Sequence, residues 1–306
     1  MEKRAYFLHA LSPLHAGTGQ AADVIDLPIA RMKGSNLPIV PGSSIKGVLR
    51  DCFDDGRVLD HDHHRAVFGP GTGGNEKASD PAGALMLLDA RLLALPVRSF
   101  RGTFSWVTSP WLLRLAHRDI GDATLPLIAT LDKPQAIAPS AKGLAHSLCV
   151  HPVAKETKAY LEDLDLPVTQ DAALSAQGGN WALWLGDRLY PSDPSTFARR
   201  LLLVDDETMT FFFETGTQVD TRVRLDADTR TVARGALWAE ESLPPESVLF
   251  GLAVADRSRR DKTTMNPRQV LDAVLNEERT LQFGGKATVG RGLCRLIPVV
   301  SHKEQE

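Results

Sequence analysis

Cysteine is scarce in this chain, with only Cys52, Cys149 and Cys294 among 306 residues. None of the three belongs to a CxxC pair. An odd number of widely separated cysteines argues against the disulfide scaffold of a small secreted protein. We therefore expect a reducing, cytoplasmic setting.

Long apolar runs are also lacking. The longest such stretch, residues 84–97, contains Asp89 and Arg91, so we expect no segment to span a membrane and no membrane partner. The short apolar stretch near the start is interrupted by Ser12 and Pro13, too soon for a signal peptide.

An excess of positive charge is lacking as well. The 35 lysines and arginines are balanced by 38 aspartates and glutamates, which gives a net charge of −3. This balance excludes a uniformly basic coat for nucleic acid but leaves room for a local basic groove. Apolar residues make up 43% of the chain, enough for a sizeable core. The GxSxG motif of serine hydrolases and the HExxH motif of zinc peptidases do not occur.

The pattern of apolar and turn-forming residues predicts a mixed α+β fold. We expect strands at 5–11, within 85–97 and at 293–300, and helices at 43–53, at 111–117 and from Asn266 onward. Serines would cap the first of these helices. A core strand near each end of the chain, with helices between strands, is the order of a ferredoxin-like sheet, which RNA-recognition modules share.

Three segments fit this order less clearly. Residues 69–83 are rich in glycine and are expected to form a surface loop, and residues 155–179 are polar, which suggests an inserted subdomain. Alternating apolar residues within 208–255 predict a long β-hairpin arm. Phe211 to Phe213 could form a wedge for stacking bases, but we favour a strand packed between two layers.

The start of the predicted helix at 43–53 is a candidate phosphate-binding site. Its first turn combines free backbone N–H groups with Ser43, Ser44 and Lys46, and Arg50 follows on the same face. The alternative is an ordinary serine-capped helix with exposed cations, which the spacing alone favours.

A second candidate site, which we call the glycine cluster, spans residues 284–292. Its candidate binding residues are Gly284, Gly285, Lys286, Gly290, Arg291 and Gly292. Backbone at such glycines can approach a polyanion closely. The region 279–303 contains no acid, so its cations predict a positive strip; these are Arg279, Lys286, Arg291, Arg295 and Lys303. A glycine bulge at a sheet edge with incidental charges is equally compatible.

The loop after the first strand carries His15, Asp23 and Asp26, which could serve phosphodiester cleavage. A carboxylate can hold a divalent metal, and either group can move the proton of a 2′-hydroxyl. Spacing gives little specificity here, because most loop aspartates are solvated or cap turns.

Residues 60–64, Asp-His-Asp-His-His, have the most metal-like local composition. A tetrahedral site would need further ligands, and Cys52 is the only obvious candidate nearby. A solvated loop is the interpretation that we favour.

Several motifs together resemble the repeat-associated mysterious proteins (RAMPs) of CRISPR effector complexes. They are Leu14-His15-Ala16-Gly17, Val24 to Pro28, Leu37 to Gly47, Phe68-Gly69, Gly235-Ala236-Leu237 and Gly284 to Gly292. The loop at Ile25-Asp26 and the region 224–245 are similar to the backbone subunits of the type III-B (Cmr) complex in particular. The resemblance covers nearly the whole chain.

The resemblance implies a single RAMP domain over residues 1–306 with an RRM-like palm, formed by 1–150 and 250–300. It also implies an inserted region at about 155–205 and a β-hairpin thumb at about 208–248. Copies of such a protein stack as a filament along a guide CRISPR RNA, together with other Cmr subunits. Each thumb wedges into the duplex of guide and complementary target RNA.

The resemblance further implies that each copy cuts the target RNA at regular intervals. The position of Asp26 matches the catalytic carboxylate of such proteins, which require a divalent metal, Mg²⁺ or Mn²⁺, and Asp26 would contact it. His15 and Glu240, or its neighbour Glu241, match further site positions. The helix start and the glycine cluster would bind guide phosphates. The alternatives are a structural filament subunit without activity, and a metal-independent endoribonuclease that processes CRISPR RNA with His15 as base.

Overall fold

The structure is a computed structural model, and it describes residues 1–17, 25–54, 56, 59–70, 81–142, 144–153, 155–169, 171–226, 229–259 and 263–299. Within these residues the strands are β1 (Glu2–Ala10), β2 (Ile39–Val40), β3 (Leu85–Leu87), β4 (Ala90–Arg98), β5 (Phe104–Thr108), β6 (Ala136–Ile137), β7 (His151–Val153), β8 (Glu156–Leu161), β9 (Leu164–Pro167), β10 (Leu201–Val204), β11 (Gln218–Leu225), β12 (Val232–Ser242), β13 (Val248–Ala255), β14 (Arg279–Gln282) and β15 (Leu293–Val299). The α-helices are α1 (Gly42–Cys52), α2 (His61–Phe68), α3 (Pro110–Ile120), α4 (Ala172–Leu189), α5 (Pro194–Ala198), α6 (Asp206–Thr215) and α7 (Pro267–Val274). The predicted mixed α+β class is confirmed.

Most of these strands form one large sheet around β1. Its order is β14-β15-β1-β13-β4-β5-β10-β6, with β2 paired to β4 and β3 to β13. β1 is antiparallel to both of its neighbours, β13 and β15, and is buried from Arg4 to Ala10. A nearly continuous apolar run suits such a strand, because helices cover the sheet on both faces. The predicted first and last strands are confirmed.

Two side chains of β1 show that helices cover both faces. Lys3 Nζ donates to the carbonyl oxygen of Asp119 in α3 at 2.8 Å, and Arg4 Nη2 donates to Asp272 in α7 at 2.7 Å. Successive side chains of a strand point to opposite faces, so α3 and α7 lie on opposite sides of the sheet. Among the described helices, none is long and apolar enough to cross a membrane.

The helix α1 shares its face of the sheet with α7. Arg279 of β14 is aligned through β15 with Leu8, which is on the same face of β1 as Arg4. The Arg279 guanidinium lies 4.8 Å from the ring centroid of Phe53, directly after α1. The predicted helices at 43–53, 111–117 and after Asn266 correspond to α1, α3 and α7.

The start of α1 differs from the prediction in its cap. Pro41 is the N-cap residue and has no side-chain capping hydrogen bond, so the expected serine cap is wrong. Ser43 and Ser44 lie inside the first turn instead. The carboxylate of Asp89 accepts a hydrogen bond from the backbone N–H of Gly42 at 2.9 Å. It thereby supplies the acceptor at the helix start that we expected from a serine.

The region 155–205, for which we expect an insertion, contains strands of two different sheets. Strands β7, β8 and β9 form a separate small sheet, but α4 and β10 belong to the main core. Trp184 of α4 packs edge-on against Phe7 at 5.9 Å, and β10 runs parallel to β5. The glycines within α4 are unusual for a helix, and the sequence analysis predicted no helix there. The structure explains Gly179, because a Cβ at this position would lie 2.0 Å from the Ser140 oxygen. The division into palm, insertion and thumb stays a prediction.

The segment with three phenylalanines is a helix, so the predicted strand there is wrong. Asp205 caps α6 by accepting the backbone N–H of Thr208 at 2.8 Å, and Phe212 and Phe213 are buried while Phe211 is exposed. An aspartate followed three residues later by a helical run is a helix-start signal that outweighs the aromatic content. The expected hairpin exists and is made by β11 and β12, from Gln218 to Ser242.

Candidate functional site

The candidate site is organised around residues 239–242 of β12, which we call the hairpin base. Three segments that are distant in sequence contact this short stretch: 14–17, 26–31 and 284–292. Leu14 exchanges two backbone hydrogen bonds with Leu243, each of 2.9 Å, next to the hairpin base. The fold therefore brings together residues from both ends of the chain.

Asp26 lies beside the hairpin base with its side chain in an exposed position. One carboxylate oxygen, Oδ2, accepts the backbone N–H of Ala239 at 2.8 Å. The next residue, Leu27, donates its N–H to the Ala239 oxygen at 3.1 Å and accepts from the Glu241 N–H at 3.0 Å. Asp26 is thus fixed through its backbone neighbour and one oxygen, and it remains open to a ligand.

His15 is buried against the same strand, with 8% of its surface exposed. Its Nδ1 lies 2.6 Å from the backbone oxygen of Glu241, and a carbonyl only accepts, so Nδ1 carries the proton and donates it. The backbone oxygen of His15 accepts the N–H of Gly285 at 3.0 Å. His15 therefore joins the hairpin base to the glycine cluster.

Glu240 is buried and surrounded by donors. Its carboxylate lies 2.9 Å from Lys286 Nζ, 3.5 Å from Arg222 Nε, and accepts the indole N–H of Trp238 at 2.7 Å. Burial raises the pKa of the Glu240 carboxyl, but the bonds from Lys286 and Trp238 and the Arg222 charge outweigh it and hold the pKa below its usual value. This environment favours an anchoring role for Glu240 over proton transfer.

The glycine cluster is an exposed loop clamped at both ends. Gly284 has φ of +73°, and a Cβ there would lie 2.2 Å from the His15 oxygen. Gly292 has φ of +80°, and a Cβ there would lie 2.0 Å from the Phe283 oxygen. Only glycine fits both positions, because they combine left-handed backbone with direct backbone contact. Gly285 and Gly290, between them, are exposed.

The positive strip predicted for residues 279–303 is largely neutralised by acids from outside that window. The pairs are Arg279 with Glu277, Arg295 with Glu278, Lys286 with Glu240 and Arg291 with Asp220. Arg291 also donates to the hydroxyl of Ser242 at 2.6 Å. Lys303 lies outside the described residues. Counting charges along the sequence predicted a positive strip wrongly, because the paired carboxylates lie outside the counted window and reach these cations only in the folded chain.

The cations of the helix start bond to backbone oxygens of neighbouring segments. Lys46 Nζ donates to the Leu85 oxygen at 3.0 Å, and Arg50 donates to the oxygens of Gly69 and Pro70 at 3.1 and 2.8 Å. Burial and the charge of Arg50 lower the pKa of Lys46. Among the described residues, no hydrogen bond or ion pair joins the helix start to the glycine cluster.

Residues 60–64 form a helix start and not the solvated loop that we expected. Asp60 caps α2 by accepting the His63 N–H at 2.9 Å, and the buried His64 donates to the Arg50 oxygen at 3.0 Å. Over the described part of the chain, no group of three or more His, Cys, Asp or Glu is placed to hold a metal ion. Asp26 offers one exposed carboxylate. Asp23 lies outside the described residues.

A comparison with protein families decides the identity of the fold. The RAMP superfamily pattern matches residues 7–295. The chain belongs to the RAMP superfamily.

Two curated relatives of this RAMP protein match it over nearly their full length. One is the CRISPR system Cmr endoribonuclease Cmr4 of Pyrococcus furiosus, 28% identical over 94% of this chain and 93% of that protein. The other is the CRISPR system CMR subunit Cmr4 of Saccharolobus solfataricus, 24% identical over 96% of this chain and 95% of that protein.

Solved structures of similar proteins share its fold. The crystal structure of oligomeric Cmr4 from Pyrococcus furiosus superposes with a TM-score of 0.70 at 22% identity, covering 98% of this chain and 100% of that one. A chain in the cryo-EM structure of the type III-B Cmr-beta complex bound to cognate target RNA gives a TM-score of 0.71 at 20% identity, with 97% of both chains covered.

The structure adds site residues of this RAMP protein that the sequence analysis missed. Asp220, Arg222 and Trp238 lie with Glu240 on one face of the hairpin. Their two-residue spacing in a predicted strand was a usable signal, since alternate residues share a face. Arg31, which contacts Glu241, gave no signal, because nothing in the sequence pairs positions so far apart.

Proposed function

We propose that this protein is a backbone subunit of a type III-B CRISPR effector complex, in which it binds guide RNA and cleaves complementary target RNA at regular intervals. The observation that carries the proposal is the exposed Asp26 carboxylate, fixed at the hairpin base beside His15 and the glycine cluster. Relatives that match over their full length include a named endoribonuclease and a chain in a complex with target RNA. Copies of the protein, guide RNA, target RNA and other Cmr subunits are its expected partners.

The strand order supports a ferredoxin-like, RRM-like palm. Strands β15, β1, β13 and β4 are adjacent in that order and antiparallel, and their connections contain α1 and α7 on one face. This order supports a ferredoxin-like unit, in which the first and third strands are central. The hairpin leaves this unit just before β13.

One face of the hairpin is suited to contact bases. Val219, Val223, Leu225, Val232 and Leu237 are between 47% and 64% exposed, and cross-strand pairing places them on one side. Aliphatic side chains on such a face can insert between or stack against bases. These exposed residues support a thumb that contacts the duplex of guide and target.

In cleavage, the exposed oxygen of Asp26 would accept a proton from the attacking 2′-hydroxyl or contact a divalent metal. A magnesium ion is commonly held by one or two carboxylates, with phosphates and water completing its shell, so a single exposed carboxylate fits Mg²⁺ or Mn²⁺. When bound, such an ion would stabilise negative charge on the scissile phosphate. His15 donates its Nδ1 proton to the Glu241 backbone, which orients the ring.

The proposed guide contacts fall into two groups. The glycine cluster offers exposed backbone next to the hairpin base, with Lys286 still 35% exposed beside Glu240. Ser43, Ser44, Lys46 and Arg50 offer a second group at the start of α1. Both groups would contact phosphates of the guide.

The variant Asp26→Asn tests the catalytic assignment, because it keeps an acceptor for the Ala239 N–H and removes the charge. Assembled complexes should bind labelled complementary RNA as tightly as the wild type but lose the regularly spaced cuts, by a factor of roughly 100 or more. Asp132→Asn, at an exposed position, is the matched control and should cut normally. Undiminished cutting by the Asp26 variant would exclude this residue from the mechanism. Wild-type assembly without metal-dependent cutting would favour a structural subunit instead.

A further inference from the structure

Glu241 holds a buried ion pair that no step of cleavage uses. Its carboxylate is 3% exposed and lies 2.5 Å from Arg31 Nη2 through one oxygen. The other oxygen accepts the backbone N–H of Ile29 at 3.0 Å. Arg31 also donates to the oxygens of Phe213 at 2.8 Å and Asn36 at 3.1 Å. Both charges are therefore compensated inside the protein.

This ion pair lies at one end of the segment 26–31, which contacts the hairpin base, and Asp26 lies at the other end. At the Asp26 end, its carboxylate accepts the Ala239 N–H, and in the middle Leu27 makes two backbone bonds to the hairpin base. At the far end, Ile29 and Arg31 contact the Glu241 carboxylate. The segment 26–31 thus meets β12 at Leu27 through backbone bonds and at Glu241 through the Ile29 N–H and the Arg31 guanidinium, while Ala30 bonds to the backbone of Ala16 and Ile39.

Arg31 connects this segment to the helix α6 as well. Phe213 lies in the last turn of α6, where unpaired carbonyls carry the negative end of the helix dipole. A guanidinium is favourable at that position. The helix α6 is followed directly by β11, the first strand of the hairpin. Arg31 therefore ties the Asp26 segment to β12 through Glu241 and to the end of α6 through Phe213.

The two adjacent acids of the hairpin base do different work. Consecutive strand residues point to opposite faces, so Glu240 meets Lys286 of the glycine cluster and Glu241 meets Arg31. Each is only 3% exposed. A carboxylate that is sealed and doubly bonded cannot reach RNA, so Glu241 can act on cleavage only through position.

We propose that the ion pair of Arg31 and Glu241 is a latch that sets where Asp26 stands relative to the hairpin, and hence which phosphodiester bond is cut. Both are positioning residues. The inference rests on the proposed function, because it assigns a position to the Asp26 carboxylate. If the hairpin sets the register of the duplex, a loosened latch lets Asp26 drift along the strand while binding is retained.

The test compares Arg31→Gln, Glu241→Gln and the double variant in assembled complexes at saturating target RNA. Each single change leaves a buried charge without its partner, whereas the double variant leaves two amides that can bond to each other. We expect single-turnover cleavage to slow by about 10- to 100-fold in the single variants, with cuts spread to neighbouring bonds, and partial recovery in the double variant. Target binding should be unchanged.

Asp119→Asn is the matched control. It removes the carboxylate charge from a half-buried ion pair between Asp119 of α3 and Arg91 of β4. It should lower stability without moving the cuts. Single latch variants that cut at wild-type positions and rates would overturn the latch. If Asp26→Asn itself still cuts, the catalytic assignment of Asp26 fails, which is a distinguishable result.

Hydrogen exchange of the isolated chain tests the latch even where a variant does not assemble. The backbone N–H of Ile29 is bonded to Glu241, and that of Leu27 to Ala239. In Arg31→Gln both amides should exchange at least about tenfold faster, while amides of β1 stay as protected as in the wild type. Unchanged protection at Leu27 and Ile29 would contradict the latch.

Discussion

At the scale of single residues, a glycine can be needed for its left-handed backbone or for a close contact, and Gly284 and Gly290 distinguish these two reasons. Both have left-handed backbone, with φ of +73° and +79°. A Cβ at Gly284 would lie 2.2 Å from the His15 oxygen, whereas Gly290 has nothing within 4 Å. Gly290→Ala should therefore cost only the backbone strain, about 1 kcal/mol. Gly284→Ala must also push His15 away and should cost roughly 3 kcal/mol or more.

Urea unfolding of the isolated variants measures this difference. Equal losses for the two substitutions would show that the glycine cluster does not need its close contact with His15. A larger loss for Gly284→Ala would show that it does.

The sequence analysis named Asp26, His15 and Glu240 together, and the fold places all three at the hairpin base. That grouping came from the resemblance, since spacing alone gave each a weak signal. The roles of Glu240 and Glu241 could not be separated from the sequence, because which face each side chain takes depends on strand register. Their catalytic roles and that of Asp26 stay predictions.

At the scale of elements, the hairpin is fastened to the glycine cluster by two carboxylates. Hydrogen bonding to Arg291 lowers the pKa of Asp220, and Lys286 and Trp238 lower that of Glu240 against the effect of burial. A carboxyl with a lowered pKa in the folded state stabilises it above its unfolded pKa, about 4. That contribution is lost as the pH falls through the lower folded value.

The melting temperature between pH 7 and pH 3 measures this fastening. The wild type should lose stability over the acid end of that range, and Asp220→Asn should show a shallower acid limb with lower stability at neutral pH. Asp165→Asn removes an exposed pair with Lys158 and should change the profile little. Parallel acid limbs for the wild type and Asp220→Asn would exclude Asp220 as an acid-sensitive fastening.

Elements with a regular apolar period were predictable and those shaped by contact were not. The helix α7 combines an apolar face with a capping box of Asn266 and Gln269, and α1 carries its apolar face at the expected period. The glycines of α4 reflect close contact with Ser140 and Pro194, which no local pattern reveals. The carboxylate at the start of α1 comes from Asp89, 47 residues away in sequence.

At the scale of the whole molecule, a net charge of −3 opposes binding of a polyanion unless local cations act. Guide affinity should therefore fall steeply with salt, and the slope should count the cations that contact phosphates. Lys46→Ala should reduce that slope by about one unit, and Lys133→Ala, at an exposed position, should leave it unchanged. Filter binding between about 50 and about 300 mM salt gives the slope of log affinity against log salt concentration.

An unchanged slope for Lys46→Ala would place Lys46 outside the guide footprint. Its hydrogen bond to the Leu85 oxygen would then define a structural role in holding α1 against β3.

The position of β1 between β13 and β15 has a consequence for synthesis. Chains leave the ribosome from the N-terminus, at roughly 5–20 residues per second. β1 is made first, yet both of its neighbours come late, and so do Lys286 and Arg291, which fasten the hairpin. A nascent chain must therefore extend through β15 before both edges of β1 can be paired and the centre of the sheet can close.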